Sequence, residues 1–348
     1  MGAGVAGLAT AWRAAQRGLR VVAFDRARPG AASSVAAGML APVTEAEFGE
    51  DELLRLNLES ASLWPGFAAE LEERTGMPTG YAQTGALVVA ADRDDAAELR
   101  RVHELQRSLG LEADWLVPSA ARALEPALAP RIAGAIDARE EAQVDPVAVL
   151  AALRRAFEDA GGAIVAADVR SLHREGERVV GLDADDGFVA AGAVVLAAGA
   201  WSAELDPATK VRPVKGQLVH CRLRRGSRPL AQRIIRTPRC YVVPRADGRV
   251  VIGATSEERG FDATVDAGAV HRLLEAAWEV LPDVSELEFA GAVAGLRPAT
   301  PGNRPLIGAT PVDGLVLATG HYRNGVLLAP VTAARVTEAL LAGERVTA

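Results

Sequence analysis

The sequence predicts an α/β fold that combines a parallel sheet flanked by helices with a second, antiparallel-sheet α+β domain. Three observations indicate it. A glycine-rich loop opens the chain, before an apolar helix and a short buried strand. A similar strand–turn–helix pattern returns at residues 315–341. Between them, residues 212–297 change to hairpin-like segments, which are typical of an antiparallel sheet. We therefore expect the parallel-sheet domain to be assembled from the beginning, middle and end of the chain.

The opening loop is Gly2-Ala3-Gly4-Val5-Ala6-Gly7. In such a loop one glycine makes a tight turn, one lets backbone N–H groups approach a pyrophosphate, and one allows close packing of helix on strand. The apolar stretch from Leu8 begins a helix whose positive end faces the phosphates. Asp25 ends the strand pattern at residues 19–24, where a carboxylate can bind ribose hydroxyls. These features together predict a Rossmann-like dinucleotide site.

The strand that should lead into this loop has no room before Gly2. In a parallel sheet that strand is central and buried, so without it the neighbouring strands should be exposed and the loop loosened. We expect the true reading frame to begin upstream of Met1.

The later elements follow from periodicity and turn signals. Residues 51–75 are expected to form a helix or a helix pair, and Asp145 is expected to cap a helix whose first residue is Pro146. Strand patterns occur at residues 85–90, 163–166, 169–172, 178–182, 187–189, 193–197 and 315–320, and helical patterns at 92–109, 146–159, 266–281 and 326–341. Hairpin-like segments occur at residues 216–223, 240–244 and 250–254.

Composition narrows the function classes. The net charge is −7, and the arginines form no basic stripe with aromatic residues, so nucleic-acid binding is not indicated. No run of eighteen apolar residues predicts a membrane span, and a cytoplasmic location is expected. Cys221 and Cys240 are expected to be small buried side chains, and the histidines have no metal-ligand spacing. No metal site is predicted.

Six further motifs make the prediction more specific. They are Ser33-Ser34-Val35-Ala36-Ala37-Gly38-Met39-Leu40, Ala198-Gly199-Ala200-Trp201-Ser202, Pro213-Val214-Lys215-Gly216-Gln217, Tyr241-Val242-Val243-Pro244-Arg245, Gly295-Leu296-Arg297-Pro298 and Gly320-His321-Tyr322-Arg323-Asn324-Gly325. With the glycine loop they resemble the D-amino-acid-oxidase-like flavoenzymes, most of all the glycine oxidases of thiamine biosynthesis. The resemblance spans almost the whole chain. It implies FAD, a two-domain fold and oxidation of an amine to an imine.

The resemblance also implies where each domain lies. The FAD-binding domain is expected from residues 1–80, 141–211 and 298–348, and the substrate-binding domain from residues 81–140 and 212–297. The FAD-binding residues implied are Gly2, Gly4, Val5, Ala6, Gly7, Asp25, Arg26, Ser33, Ser34, Ala37, Gly38, Met39, Val169, Ala198, Gly199, Trp201, His321, Tyr322, Arg323, Asn324, Gly325, Val326 and Leu327.

Two further points concern the cofactor. Some relatives attach flavin through a cysteine late in the chain, whereas the last cysteine here is Cys240, so non-covalent FAD is expected. The chain departs from the family at Asp25, where Glu is usual, and at Arg239, where other polar residues occur. Asp for Glu is a mild change because both present a carboxylate to the ribose.

Four residues are expected to handle the substrate. Arg297 is the best carboxylate anchor because a guanidinium group can donate two parallel charge-assisted hydrogen bonds. By resemblance, Tyr241 donates a further hydrogen bond to the same carboxylate, and the segment of Arg323 meets both flavin and substrate amino group. Met39 is expected to line the pocket. The motifs contain no obvious general base, which favours direct hydride transfer governed by binding geometry.

The expected activity is oxidation of glycine or another small amino acid, with O2 reduced to H2O2, serving thiamine biosynthesis. Glycine, sarcosine and D-alanine remain open as substrates, and a homo-oligomer is possible by family analogy. One alternative is a dehydrogenase of the same fold that passes electrons to a carrier. An NAD-dependent dehydrogenase would not explain residues 33–40 or 320–325. A third alternative is a flavin-deficient, non-catalytic product of a truncated reading frame.

Overall fold

The computed structural model describes residues 1–347, without the side chains of residues 344–347. The helices are α1 (Val5–Gln16), α2 (Asp51–Thr75), α3 (Arg93–Ser108), α4 (Pro118–Leu124), α5 (Pro146–Asp159), α6 (Ser202–Leu205), α7 (Ala267–Val280) and α8 (Ala329–Thr347). The strands are β1 (Val22–Phe24), β2 (Met39–Leu40), β3 (Ala86–Ala90), β4 (Asp114–Leu116), β5 (Gly134–Ala138), β6 (Ala142–Gln143), β7 (Ala163–Val165), β8 (Val169–Glu175), β9 (Arg178–Ala184), β10 (Gly187–Ala190), β11 (Val194–Leu196), β12 (Arg212–Arg222), β13 (Ile234–Arg236), β14 (Tyr241–Pro244), β15 (Arg249–Gly253), β16 (Glu288–Ala299), β17 (Leu306–Ala309) and β18 (Leu315–Thr319).

The parallel strands form two groups that the first residues join. β1 pairs with β7, and β11 pairs with β18, both in parallel. Between them, the terminal amine of Met1 donates to the Val195 carbonyl at 2.7 Å, and the Gly2 N–H donates to the Phe24 carbonyl at 2.8 Å. Phe24 is buried, whereas Val22 at the start of β1 is 50 % exposed. Met1 and Gly2, at the start of the glycine loop, are thus hydrogen-bonded to both groups of strands, contrary to the expected loosening.

The antiparallel region is an eight-stranded sheet in the order β16-β12-β15-β14-β13-β3-β5-β4. Its strands pair antiparallel except β13 and β3, which run parallel. Residues 86–138 therefore join the predicted hairpins of residues 212–297 in one sheet. Helix α7 packs on it over a buried apolar cluster. This arrangement brings β12, β14, β15 and β16 side by side, and these strands carry the predicted substrate-binding residues.

Most local predictions are confirmed. The Asp145 carboxylate accepts the Val147 N–H at 3.0 Å and caps α5, and both cysteines are buried free thiols. Residues 51–75 form one helix that continues through Pro65. Among the described residues, the helices include none that is both long and apolar enough to cross a membrane. The domain boundaries stay a prediction.

Two predicted helix starts are wrong. Helix α1 begins at Val5 rather than Leu8, because the Leu8 N–H already donates to the Gly4 carbonyl at 2.9 Å; the Val5 N–H, which has no partner within the helix, donates to the Ser33 hydroxyl at 3.0 Å. Helix α8 begins at Ala329 rather than Val326. Residues 325–328 form turns instead, in which the Ala329 N–H donates to the Val326 carbonyl at 3.2 Å, a bond over three residues rather than the four of an α-helix.

Candidate active site

A cavity of about 820 Å³ is lined by both sheet regions. One part of its wall consists of the glycine loop, Asp25 and the turn after β11. Another part consists of Tyr241 on β14 and Arg297 on β16. A volume of this size is typical of a cavity that holds a small molecule or a cofactor. The parallel strands and the antiparallel sheet therefore contribute to one site.

The glycine loop has the geometry of a phosphate site. Gly2 has a φ of 95°, and a Cβ atom there would lie 2.3 Å from the Ala197 carbonyl oxygen. A Cβ atom on Gly7 would lie 2.0 Å from the Gly2 carbonyl oxygen, so Gly7 permits close packing beneath the loop. Gly4 lies against the Ser33 hydroxyl on the cavity wall. The positive end of α1 follows directly, and these residues fit a pyrophosphate.

The expected ribose-binding region is built from separate parts of the chain. Asp25 lines the cavity and accepts the Ala27 N–H at 3.0 Å. Arg26 pairs with Asp168, which also pairs with Arg28 at 3.1 Å. The Arg28 guanidinium stands 5.5 Å from the ring centroid of Trp201. Arg28 and Asp168 were not predicted, because partners about 140 residues apart leave no local sequence signal.

Arg297 and Tyr241 lie close together on the cavity wall. Arg297 is half-buried and donates from Nη1 to the Thr255 carbonyl at 2.9 Å. Burial raises the pKa of Tyr241 to about 12, although the neighbouring Arg297 opposes the rise. The Tyr241 hydroxyl is therefore protonated at neutral pH and can donate a hydrogen bond. A cation and a neutral donor side by side have the chemistry to bind a carboxylate.

Arg323 also reaches the wall, but its guanidinium group is paired with carboxylates. It lies 2.7 Å from Glu47 and 3.5 Å from Glu50. Burial opposes its charge, but Glu45 and these two carboxylates outweigh burial and raise the pKa of Arg323. The motifs indicated neither Glu45 nor Glu47, although both line the cavity. The predicted contact of Arg323 with flavin and substrate stays a prediction.

Arg236 completes this charged part of the wall. Its guanidinium lies 3.4 Å from Glu45 and donates to the Thr44 hydroxyl at 3.0 Å. Thr44 in turn donates to the carboxyl group of Glu141, which is buried behind the wall. Sequence reasoning missed these residues as well, since none belongs to a recognisable motif.

The structure places most other predicted residues on the same wall. They are Val5, Ala6, Ser33, Ser34, Ala37, Gly38, Met39, Val169, Ala198, Gly199, Trp201, His321, Tyr322, Gly325 and Val326. Gly7, Asn324 and Leu327 lie behind it. Burial lowers the pKa of His321 to about 4, and its Nε2 is 2.9 Å from the Thr332 hydroxyl. His321 is thus a neutral, internally bonded residue.

The glycine loop, the helix that follows it and the cavity lined by both sheet regions have the geometry of a dinucleotide-binding protein. The DAO family model, described as FAD dependent oxidoreductase, matches residues 1–339, and the chain belongs to this family. The protein is an FAD-dependent oxidoreductase similar to the glycine oxidases. Within the described residues, no group of three or more His, Cys, Asp and Glu side chains is placed to hold a metal ion.

Individual relatives support the same family assignment. The chain is 37 % identical to the glycine oxidase of Geobacillus kaustophilus, over 97 % of this chain and 91 % of that protein. The crystal structure of glycine oxidase from this organism matches with a TM-score of 0.91, covering 99 % of this chain and 93 % of that one. The bifunctional protein ThiO/ThiG of Trichormus variabilis is 36 % identical, over 97 % of this chain. The match covers 51 % of that longer protein.

Proposed function

We propose that the protein oxidises glycine or another small amino acid to the imine, while O2 takes up the two electrons and two protons and forms H2O2. The observation that carries the proposal is the pairing of the Arg297 guanidinium with the Tyr241 hydroxyl, in a cavity that also contains the glycine loop. The similarity to a glycine oxidase and to ThiO/ThiG proteins supports it, and the 34 % identity to a putative thiamine biosynthesis oxidoreductase of Rhizobium etli favours a role in thiamine biosynthesis.

FAD is proposed to bind without a covalent bond. The glycine loop and Ser33 would hold the pyrophosphate, and Asp25 the ribose. Burial raises the pKa of Cys240 to about 11 and also raises that of Cys221, so both thiols are protonated and poorly nucleophilic. When bound, FAD supplies the acceptor for the hydride that leaves the substrate α-carbon.

The side chains of the cavity are proposed to act by binding and orientation. Arg297 would bind the substrate carboxylate through two hydrogen bonds while Tyr241 donates a third, which fixes the position of the α-carbon. A proton must leave the substrate ammonium group before the imine can form. Glu45 is paired with Arg236, Glu47 with Arg323, and His321 with Thr332, so we assign this proton to solvent rather than to a protein base.

Replacement of Arg297 by Ala tests the proposal. Loss of charge-assisted hydrogen bonds worth about 1.5–3 kcal/mol each is expected to raise the KM of the amino acid by about 100-fold or more. Oxygen uptake and peroxide are measured with glycine, sarcosine and D-alanine, and bound flavin is measured by its absorbance. Arg304→Ala is the control, because Arg304 is exposed and pairs with Glu52 at 2.9 Å.

Five outcomes are informative. A raised KM with normal flavin content supports the proposed carboxylate site. An unchanged KM in Arg297→Ala contradicts it, and so does loss of flavin together with activity. Substrate oxidation by the unaltered protein without oxygen uptake would instead indicate a dehydrogenase that needs another acceptor. Absence of flavin from the purified unaltered protein would favour the non-catalytic alternative.

A further inference from the structure

We propose that two glycines on neighbouring strands, Gly216 on β12 and Gly253 on β15, form a floor against which the carboxylate-binding groups lie. We call these two residues the glycine floor. Gly216 is assigned as a positioning residue that acts on substrate binding through Arg297. The inference rests on the proposed function, because it presumes that Arg297 and Tyr241 bind the substrate carboxylate.

The Arg297 guanidinium lies directly against the backbone of Gly216. A Cβ atom on Gly216 would lie 2.5 Å from Cζ and Nη2 of Arg297 and 2.6 Å from Nη1. Three atoms of one planar group are therefore equally close to a single backbone position. The register explains the contact: Arg297 pairs with Val214 on β12, and Gly216 is two residues further along, on the same face. Only a residue without a side chain leaves this space open.

Gly253 makes the corresponding contact with Tyr241. The two residues pair directly between β14 and β15, and a Cβ atom on Gly253 would lie 2.5 Å from the Tyr241 hydroxyl oxygen. It would also lie 2.4 Å from Cδ2 of Leu218. Leu218 pairs with Gly253 and is two residues from Gly216, so both glycines share the face that lines the cavity.

A methyl group at Gly216 must move the guanidinium rather than the sheet. Gly216 is not among the glycines with positive φ, so its backbone conformation accepts alanine. The atoms that the methyl group would meet are the free end of a flexible side chain. The Arg297 guanidinium must move about 1 Å away from the added methyl group to reach ordinary contact distance. A displacement of this size in a binding site costs on the order of 100-fold in rate or affinity.

The test is Gly216→Ala in the flavin-loaded protein. We expect the KM of the preferred amino acid and the inhibition constant of acetate, a simple carboxylate, to rise by about 10- to 100-fold. Flavin absorbance and melting temperature should stay as in the unaltered protein. Gly192→Ala is the matched control, because its backbone is ordinary and no atom lies within 4 Å of the added methyl group.

A double-mutant cycle separates positioning from a general structural effect. In an Arg297→Ala background, Gly216→Ala should change KM less than twofold, because the group that it displaces is gone. An equal effect in both backgrounds would overturn the inference, as would an unchanged KM in Gly216→Ala when Arg297→Ala raises it. If Arg297→Ala itself leaves KM unchanged, the proposed function fails first.

Gly253→Ala gives a second route if Gly216→Ala does not fold. Its effect on KM should be large with Tyr241 present and less than threefold in a Tyr241→Ala background, where neither the hydroxyl group nor the ring carbon Cζ, also 2.5 Å from the added methyl group, remains to be displaced. Equal effects in the two backgrounds would refute the role of the glycine floor at this second position.

Discussion

Replacement of Glu141 by Gln is expected to remove a loss of stability that sets in as the pH rises. Glu141 is 1 % exposed, and its carboxyl group accepts the Thr44 N–H at 2.6 Å and the Thr44 hydroxyl at 2.8 Å. Burial raises its pKa to about 7, more than the Thr44 hydrogen bonds and the charge of Arg236 lower it. The nearby Glu45 adds to the rise.

The size of the effect follows from the two states of the chain. The usual carboxyl pKa is 4.5, so the unfolded chain releases this proton at a lower pH than the folded protein does. Stability from this group is complete below pH 4.5 and decreases as the pH rises through about 7. The full difference corresponds to about 3 kcal/mol in the free energy of unfolding. Gln has no charged form and therefore avoids this loss.

Urea unfolding of the flavin-loaded protein at several pH values between about 5 and 8 measures this pH-dependent loss of unfolding free energy. The free energy of unfolding of Glu141→Gln minus that of the unaltered protein should increase with pH, by up to about 3 kcal/mol. Glu98→Gln serves as control, since Glu98 is exposed on α3. If the difference for Glu141→Gln is the same at both ends of this range, the buried carboxyl group is not the cause and the reasoning is refuted.

Two further substitutions test the site. Tyr241→Phe should raise the amino-acid KM by about tenfold with little change in kcat, because one hydrogen bond to a charged group is lost. Steady-state kinetics measure both constants. An unchanged KM would mean that the hydroxyl does not contact the substrate. Ser33→Ala should lower the free energy of unfolding by about 1 kcal/mol and weaken FAD retention, because the Val5 N–H loses its acceptor at the start of α1. Urea unfolding and flavin release measure these effects against Ser62→Ala, an exposed serine bonded within its own helix; equal values for the two variants would exclude a capping role for Ser33.

The features that were predicted correctly depend on short stretches of sequence. The glycine loop, Asp25 after β1 and the Asp145 cap can each be recognised from neighbouring residues in the sequence. The start of α1 was predicted three residues too late, and its first N–H, that of Val5, donates to Ser33, which is 28 residues away in the chain. Periodicity alone could not show that a distant hydroxyl group would accept this N–H.

The charged part of the cavity wall could not be predicted for a related reason. Arg323 meets Glu47 across 276 residues, and Arg236 meets Thr44 across 192. Such pairs form because strands and loops distant in sequence are brought together, and a single sequence contains no pattern that reports them. Arg297 was found because it belongs to a motif, whereas its contact with Gly216 depends on how β12 and β16 align.

Many of the helices and strands, the dinucleotide loop and the likeness to a flavoenzyme family could be identified from the sequence, because each is encoded by local composition, turn chemistry or ordered motifs. The tertiary structure decided which side chains share one cavity, and it placed Arg297 and Tyr241 over the glycine floor. The physical reason is strand register: a shift of one residue turns every side chain to the other face of the sheet. Register is set by the packing of the whole sheet and not by any one strand.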